Sequence, residues 1–571
     1  MDNAGIFDVI VIGTGLTESI TAAAFAKAGF KVAHLDENVY YGGDEASLSF
    51  EEYINWAIHA KDSTQFSSIS LSSSDALPNS RQYSISLSPS VIPAAGPLIS
   101  SLVASGVSRY GGFRLVEQVA VYSNHEVKTV PGSKEDIFKD KTISLLDKRR
   151  LMRFLVFASG DEDFEARTEL EGAKADMPFV EFLKTTFSLD QEMAETITYA
   201  LSHCVSPSDK ALSALRRLRR YLRSAGRYGH SPFLIGQYGS SGEIAQGFCR
   251  TAAVAGCVYI LGKEISSITR NRNFDESQST PTYTLTLSDF PETITCDLIV
   301  SSESRFPAGL LGNTGDILRI PPAFPAAGGE IPFTIARGVC IIDQPLSFVS
   351  RQESSSSEEG DGQESRPTLD TGIFVFPPSS LSTGAASSAV TVLVVGEGTM
   401  SVPKGKWILY LSTSINTAVS PEQLLKPYLD MTLSLSSSTD TSIIPLFTSF
   451  YLQTTSPSSY TTSSTKSSLN TSSRPDHSFG SSLPTILLSP APPNSPLPDS
   501  GDAAAVNAEA VFWEAVKALK SIKASKKLRK TLEDQVPPTV IRDEEEEEEE
   551  EELVEIESFW PPVVNEEDDE E

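Results

Sequence analysis

The chain has 571 residues, 40 % of them hydrophobic, and a formal net charge of −29 at pH 7. This length accommodates two to three ordinary domains at roughly 100–200 residues each. Between Asp543 and Glu571 there are 18 acidic residues and no basic one, so most of the negative charge belongs to the C-terminal tail. This charge balance argues against nucleic acid as a partner and against electrostatic docking on anionic lipid.

The cysteine pattern indicates a reducing compartment. The five cysteines lie far apart, with neither a paired framework nor the spacing of a metal site. The N-terminus has no basic segment before its apolar run, and no stretch reaches the ~18 apolar residues of a membrane span. The chain ends in EEDDEE, without a C-terminal lipidation cysteine. We therefore expect a cytosolic protein.

The first residues predict a βαβ unit. The apolar run IFDVIVI ends at Gly13, and an alanine-rich helical stretch follows it. Gly29 breaks that helix, and KVAHLD then gives a second strand. A strand, a helix and another strand in this order open a parallel sheet.

A change of period marks a helical region further along the chain. The segments DKRRLMRFLVF, PFVEFLKTTF, LDQEMAETITYALSHC and PSDKALSALRRLRRYLRSA place apolar residues three and four positions apart. Strand-like segments then return, from VYILGKEISSI to KWILYLST, and we expect them to complete the sheet. The predicted fold class is α/β, a parallel or mixed sheet with an inserted all-helical subdomain and a disordered acidic tail.

These patterns divide the chain into segments. They are 1–133 for the first part of the α/β domain with an inserted loop at 62–90, 134–225 for the helical domain, 226–453 for the rest of the α/β domain, 454–500 for a disordered Ser/Thr/Pro-rich linker, 501–535 for a C-terminal helix and 536–571 for the acidic tail. The polar segments predicted to be unstructured are Ser354–Gly362, Thr454–Ser482 and Asp543–Glu552. The C-terminal helix is expected to pack on the sheet through Ala508, Phe512, Ala515, Leu519 and Ile522.

A glycine fingerprint opens the first helix. Gly13 and Gly15 follow a strand, and Asp36 ends the next strand, as in dinucleotide-binding units. There, the first glycine permits the turn, the second lets a pyrophosphate approach the backbone, and the acid reaches a ribose. The third glycine position is Glu18 here. We expect its side chain to hinder packing of helix on strand and its carboxylate to lie where a pyrophosphate needs bare amides. The three residues therefore indicate a vestigial site, and we predict no cofactor.

FDVIVIGTGLTESI, HLDENVYYGGDEASLSF and RYGHSPFLIGQYGSSGEIAQGFCR resemble the conserved regions of the superfamily of GDP-dissociation inhibitors and Rab escort proteins. This superfamily shares the FAD/NAD(P)-binding fold of flavin monooxygenases without using flavin. The resemblance is clear over about residues 6–60, 105–160 and 215–265, and weaker to about residue 450. It implies a non-catalytic protein that binds Rab-family small GTPases in their GDP form.

The resemblance also implies a GTPase-binding platform. Tyr41 matches its tyrosine, Glu243 and Arg250 match its acid and base, and Ile260 occupies an apolar position that is usually methionine. Seven residues separate Glu243 from Arg250, about two helical turns, so both face one way if GEIAQGFCR is helical. The alternative is that the two charges merely pair with nearby structure.

A second segment resembles the region that grips the extended C-terminus of the GTPase. It is Val107-Ser108-Arg109-Tyr110, and Val107, Arg109 and Tyr110 are the residues carried over. Half of these side chains are also compatible with a place in the core.

Two roles are open within the superfamily. Inhibitors extract prenylated Rabs from membranes, whereas escorts also present unprenylated Rabs to the Rab geranylgeranyltransferase αβ heterodimer and contact membranes transiently. This chain resembles escorts in its length, its first-domain insertion and its acidic extension. Phe157 matches a phenylalanine of the escort helix that docks on the transferase, and Arg167 corresponds to a second docking residue. From periodicity alone Phe157 is a core residue, so a solvent-facing ring would be evidence for docking.

The helical domain offers a place for the geranylgeranyl lipid. Each buried methylene contributes about 0.8 kcal/mol, so a twenty-carbon tail needs an extended apolar site. We hypothesise that helices around Met152, Leu155 and Val156 part to admit it.

No catalytic set stands out, because the six histidines are scattered and no nucleophile sits in an elbow motif. The rival class is a flavin-dependent amine oxidase, which the first fifty residues alone support.

Overall fold

The computed structural model describes residues 5–60, 65–73, 75, 77–131, 143–160, 167–270, 282–302, 304–306, 317–320, 334–346, 369–416, 419–436, 442–454, 485–488, 497–533 and 558–560. Ser354–Gly362, Asp543–Glu552 and all of Thr454–Ser482 after its first residue, which the sequence predicts to be unstructured, lie outside the described residues.

The described helices are α1 (Leu16–Lys27), α2 (Phe50–His59), α3 (Pro97–Ser105), α4 (Leu145–Ser159), α5 (Phe179–Phe187), α6 (Gln191–Glu195, continued by a π-helical turn at Thr196–Leu201), α7 (Ala211–Ser224), α8 (Ser241–Val254), α9 (Pro421–Ser436) and α10 (Asp499–Glu533). The described strands are β1 (Ile6–Ile12), β2 (Val32–Asp36), β3 (Ser47–Leu48), β4 (Phe66–Leu71), β5 (Ile85–Ser86), β6 (Ile92–Pro93), β7 (Phe113–Leu115), β8 (Gln118–Ser123), β9 (Glu126–Thr129), β10 (Phe233–Gly236), β11 (Val258–Leu261), β12 (Ile265–Arg270), β13 (Tyr283–Leu287), β14 (Ile294–Ser302), β15 (Ile317–Arg319), β16 (Thr334–Ile342), β17 (Thr371–Phe376), β18 (Val390–Val395), β19 (Trp407–Ile415), β20 (Phe447–Thr454) and β21 (Thr485–Leu488).

The first large sheet is built around β1, which pairs in parallel with β2 on one side and β14 on the other. The strand order is β11-β2-β1-β14-β13-β12, with β21 pairing β14 and β15. β1 and β2 are covered on both faces, which explains why their sequences are almost continuous apolar runs. This arrangement confirms the predicted βαβ opening.

Helices α1, α8 and α10 cover one face of this sheet. Every residue from Leu16 to Ala26 is buried, because α1 lies between the sheet and the two other helices. The rings of Phe25 and Phe512 join α1 to α10, with centroids 5.3 Å apart. The predicted apolar face of the C-terminal helix is therefore confirmed, since all five of its residues are at most 1 % exposed.

The second large sheet has the order β4-β20-β16-β19-β18-β17-β8-β9, and only the β8–β17 pair is parallel. Helix α9 packs on one face. The helices α4 to α7 pack on the other face, where their aromatic side chains share one core with the strands. Phe154 and Phe187, for example, have ring centroids 5.1 Å apart within that core. The helical region is therefore continuous with the sheet that it covers.

Three expectations from the sequence are wrong. The described residues between 65 and 90 do not form a surface loop, because β4 extends the second sheet at its edge and Tyr83 is buried. Ser67 and Ser68 are both exposed and the pairing register shifts beside them, so the regular alternation of a strand is missing from this sequence. The short apolar segment Thr485–Leu488, placed in the disordered linker, is a strand beside β14. The later strands also form two large sheets where we expected one, because most of them are antiparallel neighbours in their own sheet.

Among the described residues, no helix combines the length and apolarity that crossing a bilayer requires.

Candidate functional site

The turn between β1 and α1, at residues 13–15, has the backbone of a dinucleotide-binding turn. We call the space in front of this turn and of the α1 N-terminus the cradle. Gly13 has φ +95°, a left-handed conformation that a side chain would strain. Gly15 precedes the first residue of α1 and has no side chain that could fill the space in front of the helix N-terminus. Gly13 thus permits the turn, and Gly15 leaves the N-terminus of α1 open at its front.

Two carboxylates of the chain itself fill that space. A Cβ atom on Gly15 would lie 2.6 Å from Oε2 of Glu18 and 3.1 Å from Oε2 of Glu45. The backbone N–H of Leu16, at the N-terminus of α1, donates to Oε2 of Glu45 over 2.7 Å. A helix N-terminus attracts anions because its first N–H groups are unpaired within the helix. Here the acceptor is a glutamate side chain from 29 residues further along the chain.

Burial of these acids changes their protonation. Burial raises the pKa of Glu18 to about 7, although Arg305 and the hydroxyl of Ser302 oppose the shift. Burial also raises the pKa of Glu45 to about 8, assisted by the neighbouring Glu18 and Asp44 carboxylates and opposed by the Leu16 amide. The expectation that Glu18 would hinder packing is wrong, because its side chain points into the cradle and is 3 % exposed.

Asp36, the acid expected to reach a ribose, is used within the turn. Its Oδ2 accepts from the backbone N–H of Thr14 at 2.7 Å and from the Thr14 hydroxyl at 2.6 Å. Its Oδ1 accepts from the backbone and side-chain nitrogens of Asn38 at 2.8 and 2.9 Å. Both oxygens thus hold the β1 and β2 turns together.

Arg305, from the segment after β14, lies across the open side of the cradle, next to Gly13 and Gly43. Its guanidinium pairs with Glu37 at 3.1 Å and with Asp44. The side chain is 14 % exposed, and the surrounding carboxylates hold its pKa above the usual value despite burial. The residues present do not fit a dinucleotide, because the side chains of Glu18 and Glu45 occupy the space in front of the α1 amides where a pyrophosphate would bind.

The filled cradle positions the Tyr41 turn. Glu45 lies just after the YYGG sequence, and its bond to α1 fixes this turn against the helix. Gly42 has φ +98°, and a Cβ there would lie 3.3 Å from Cα of Gly242, so the turn lies directly on the first residues of α8. The half-buried ring of Tyr41 contacts the ring of Tyr259 on β11, with centroids 5.8 Å apart.

Glu243 and Arg250 lie on one exposed face of α8, as their spacing predicts for a helix. The guanidinium of Arg250 lies 5.1 Å from the ring centre of Tyr110. Partial burial raises the pKa of Glu243. Within the described part of the chain neither residue forms an ion pair, so the alternative that they serve only local pairing gains no support.

Ile260 lies on the same edge of the molecule but on another face. It belongs to β11, the edge strand of the first sheet, and its side chain packs into the core opposite the helices. Tyr259, its neighbour, packs on the helix side. Because side chains alternate along a strand, Ile260 points away from the face on which Tyr41 contacts Tyr259.

The segment Val107–Tyr110 divides between core and surface. Val107 is 2 % exposed and lies where a Cβ on Gly247 of α8 would approach to 2.8 Å. A direct contact of Val107 with a partner is therefore excluded in this structure. Arg109 and Tyr110 are exposed; Tyr110 lies beside Arg250, and its hydroxyl bonds the Thr251 hydroxyl on α8.

Phe157 does not face solvent, so the exposed ring that would have been evidence for docking is not found in this structure. The ring is 3 % exposed and contacts Phe187 with centroids 5.2 Å apart. Arg167 stacks on the same ring at 5.5 Å. The periodicity of α4 already allowed this core position. The exposed apolar residues of this helix are Leu145, Leu146 and Val156, at 86, 56 and 61 %.

The three residues proposed around the lipid have the i, i+3, i+4 spacing of one side of α4 but differ in burial. Val156 faces solvent, Met152 is half-buried one turn away, and Leu155 packs on the aromatic core. The rings in that core are in contact, which argues against the loosely packed helices that we hypothesised.

Sequence reasoning missed Glu45 and Arg305. Both reach the cradle from distant segments, so neither shares a local motif with Gly13 and Gly15. The sequence offered one signal. The first N–H groups of α1 have no partner within the helix, so they need an acceptor from elsewhere in the chain when no cofactor supplies one.

We predict that Glu45→Gln stabilises the protein at alkaline pH. Since the pKa of about 8 lies above that of an unfolded glutamate, the folded state holds the proton longer, and Glu45 lowers stability progressively as pH rises from about 4.5 to 8. Glutamine keeps an acceptor for the Leu16 amide without this titration. Urea unfolding should show a gain of about 1–2 kcal/mol at pH 8.5 and almost none at pH 5. The exposed Glu51→Gln on α2 is the control; an equal gain at both pH values would contradict the prediction.

Comparisons with known proteins give the family and the fold to which this chain is similar. A family model described as GDP dissociation inhibitor matches residues 1–320. The Rab proteins geranylgeranyltransferase component A of Saccharomyces cerevisiae is 29 % identical over 413 residues, which cover 71 % of this chain and 61 % of that protein. An uncharacterized Rab geranylgeranyltransferase of Schizosaccharomyces pombe is 30 % identical over 436 residues, which cover 72 % of this chain and 83 % of that protein.

A crystal structure of Rab GDI from Plasmodium falciparum is also similar, with a TM-score of 0.54 and 21 % identity. The match covers 79 % of this chain and 90 % of that chain, and it confirms the predicted fold class. This chain spans less than two thirds of the length of its Saccharomyces cerevisiae relative. The family match covers more than half of the 571 residues, and the chain therefore belongs to the GDP dissociation inhibitor family.

Proposed function

We propose that this chain is a non-catalytic escort of Rab-family GTPases in the cytosol. It binds an unprenylated Rab in the GDP form, presents it to the Rab geranylgeranyltransferase αβ heterodimer, shields the geranylgeranyl groups and delivers the Rab to membranes. Relatives named as component A of that transferase support this reading. The observation that carries it is the exposed Glu243–Arg250 face beside the Tyr41 turn.

The chemistry of this surface suits a protein partner. Arg250 is stacked on Tyr110 and therefore loses little side-chain freedom on binding, while Glu243 remains open to a cation of the partner. Arginine and tyrosine side chains that are held in place are the usual centres of binding energy at interfaces. The adjoining nucleotide cradle is filled by the chain itself, so it acts as a support for this surface.

A GDP-dissociation inhibitor would use the same platform, and the similarity to the Plasmodium falciparum structure keeps this role as the alternative. The two roles differ in the substrate. An escort binds the unprenylated Rab and stimulates its modification, whereas an inhibitor binds only the prenylated Rab and gives no stimulation.

We predict that Arg250→Ala weakens binding of a GDP-loaded, unprenylated Rab by about 10- to 100-fold, because it removes a cation that is already oriented. Isothermal titration calorimetry measures the affinity, and a reconstituted assay with transferase and geranylgeranyl diphosphate measures prenylation with and without the chain. Wild type should stimulate the reaction, and the variant should need a correspondingly higher concentration.

The control for Arg250→Ala is Lys426→Ala, an exposed cation on α9 at the far face of the second sheet. If both variants bind like wild type, the platform is misplaced. If wild type binds only prenylated Rab, the inhibitor role is the correct one.

We further propose that the exposed face of α4 contacts the transferase. On the buried side of this helix, Phe157 and Arg167 hold it in place. Val156→Asp places a charge on this face at a site where burial does not matter for folding. We predict that stimulation of prenylation falls at least five-fold, on the order of 1 kcal/mol, while Rab affinity stays unchanged.

The matched control for Val156→Asp is Ile444→Asp, which is 70 % exposed and lies before β20. Undiminished stimulation by Val156→Asp would reject α4 as the contact.

A further inference from the structure

A buried ionic cluster joins the helical region to the α/β domain. Arg217 and Arg220 of α7 meet Asp499 and Asp502 in the first turn of α10, with side chains between 0 and 19 % exposed. Arg217 also pairs with Asp209 at 3.5 Å. Removing one partner of such a buried pair leaves the other charge uncompensated, so these four side chains depend on one another.

Asp499 holds α7. Its Oδ1 accepts from the Tyr221 hydroxyl at 2.6 Å and pairs with the guanidinium of Arg220. Its Oδ2 lies 3.9 Å from Nε of Arg217. All three contacts come from one face of α7, which fixes this helix against the start of α10.

Asp502 connects the same cluster to a different helix, α3. Its Oδ2 lies 3.4 Å from Nη1 of Arg220, while its Oδ1 accepts from the backbone N–H of Leu98 at 3.1 Å. The residue before α3 is Gly96, which has no side chain to cap its own helix. A Cβ on Gly96 would lie 2.5 Å from Oδ2 of Asp502. Asp502 thus supplies an N-terminal cap from another element, where the helix dipole favours a negative charge.

Helix α3 leads directly to the binding surface. It ends at Gly106, with φ +82°, and the chain then forms the turn Val107–Arg109. Val107 packs against Gly247 of α8, and Tyr110 bonds Thr251 and carries the stacked Arg250. The position of α3 therefore sets the position of the Tyr110–Arg250 pair.

We infer that Asp502 is a positioning residue for the GTPase-binding surface: by bridging Arg220 to the N-terminus of α3, it fixes Tyr110 and hence Arg250. Asp502 touches no partner and acts through α3. Burial raises its pKa to about 6, with Arg220 and the Leu98 amide opposing the shift, so the carboxylate is charged at physiological pH. This inference rests on the proposed Rab-binding role of Arg250.

The test compares two variants of the full chain in calorimetric titrations with GDP-loaded Rab. Asp502→Ala removes the cap and should weaken binding about five-fold, whereas Asp502→Asn keeps an acceptor for the Leu98 amide and should stay within about two-fold of wild type. Gly96→Ala, whose methyl group displaces the carboxylate without removing it, should reproduce the loss of Asp502→Ala.

A double-mutant cycle with Arg250→Ala separates positioning from general destabilisation. If Asp502 acts through Arg250, then Asp502→Ala causes no further loss of Rab affinity once Arg250 is alanine. An equal five-fold loss in both backgrounds, or none in either, overturns the inference.

Hydrogen exchange of the chain without Rab distinguishes the inference from the proposed function. Amides of α3 should exchange faster in Asp502→Ala than in wild type. Unchanged exchange there overturns the inference alone, whereas a wild-type chain that binds no Rab overturns the proposed function.

Discussion

The hydrogen bond from the Leu16 amide to the Glu45 carboxylate is the constraint on which the binding surface depends. It satisfies the N-terminus of a helix that is buried on every side, and it fixes the turn that carries Tyr41. A buried N–H without an acceptor costs about 1–3 kcal/mol, so the cradle needs an acceptor. A nucleotide-binding protein takes that acceptor from its cofactor, whereas this chain takes it from its own turn.

This substitution explains how one fold serves a different purpose. With a cofactor, the loop around the cradle has to open for a ligand. With Glu18 and Glu45 in place and Arg305 across the open side, the loop is locked and becomes part of the scaffold. Binding residues held by a rigid scaffold lose little entropy when a partner docks, which favours a binding role over a catalytic one. The buried acids reduce stability at neutral pH, as at many functional sites.

The sequence predicted the features that depend on neighbouring residues. Gly13, Gly15 and Glu18 lie within one turn, and Glu243 and Arg250 within one helix, so local geometry was sufficient. It failed where the answer depends on what packs against an element. Periodicity identifies the apolar face of α4 on which Phe157 is buried. It does not tell whether the other apolar residues of this helix remain exposed to solvent. The face of Ile260 depends on strand register, and the contacts of Glu45, Arg305 and Asp502 join segments far apart in the chain.

The central claim is that the locked cradle supports a surface that grips a Rab GTPase. Hydrogen exchange of the full chain, with and without a GDP-loaded unprenylated Rab, tests it most directly. The account predicts that the Rab slows exchange in the Tyr41 turn and in α8, while the amides at the start of α1 are protected equally in both states. Protection confined to other surfaces, or an N-terminus of α1 that exchanges freely without the Rab, would contradict it.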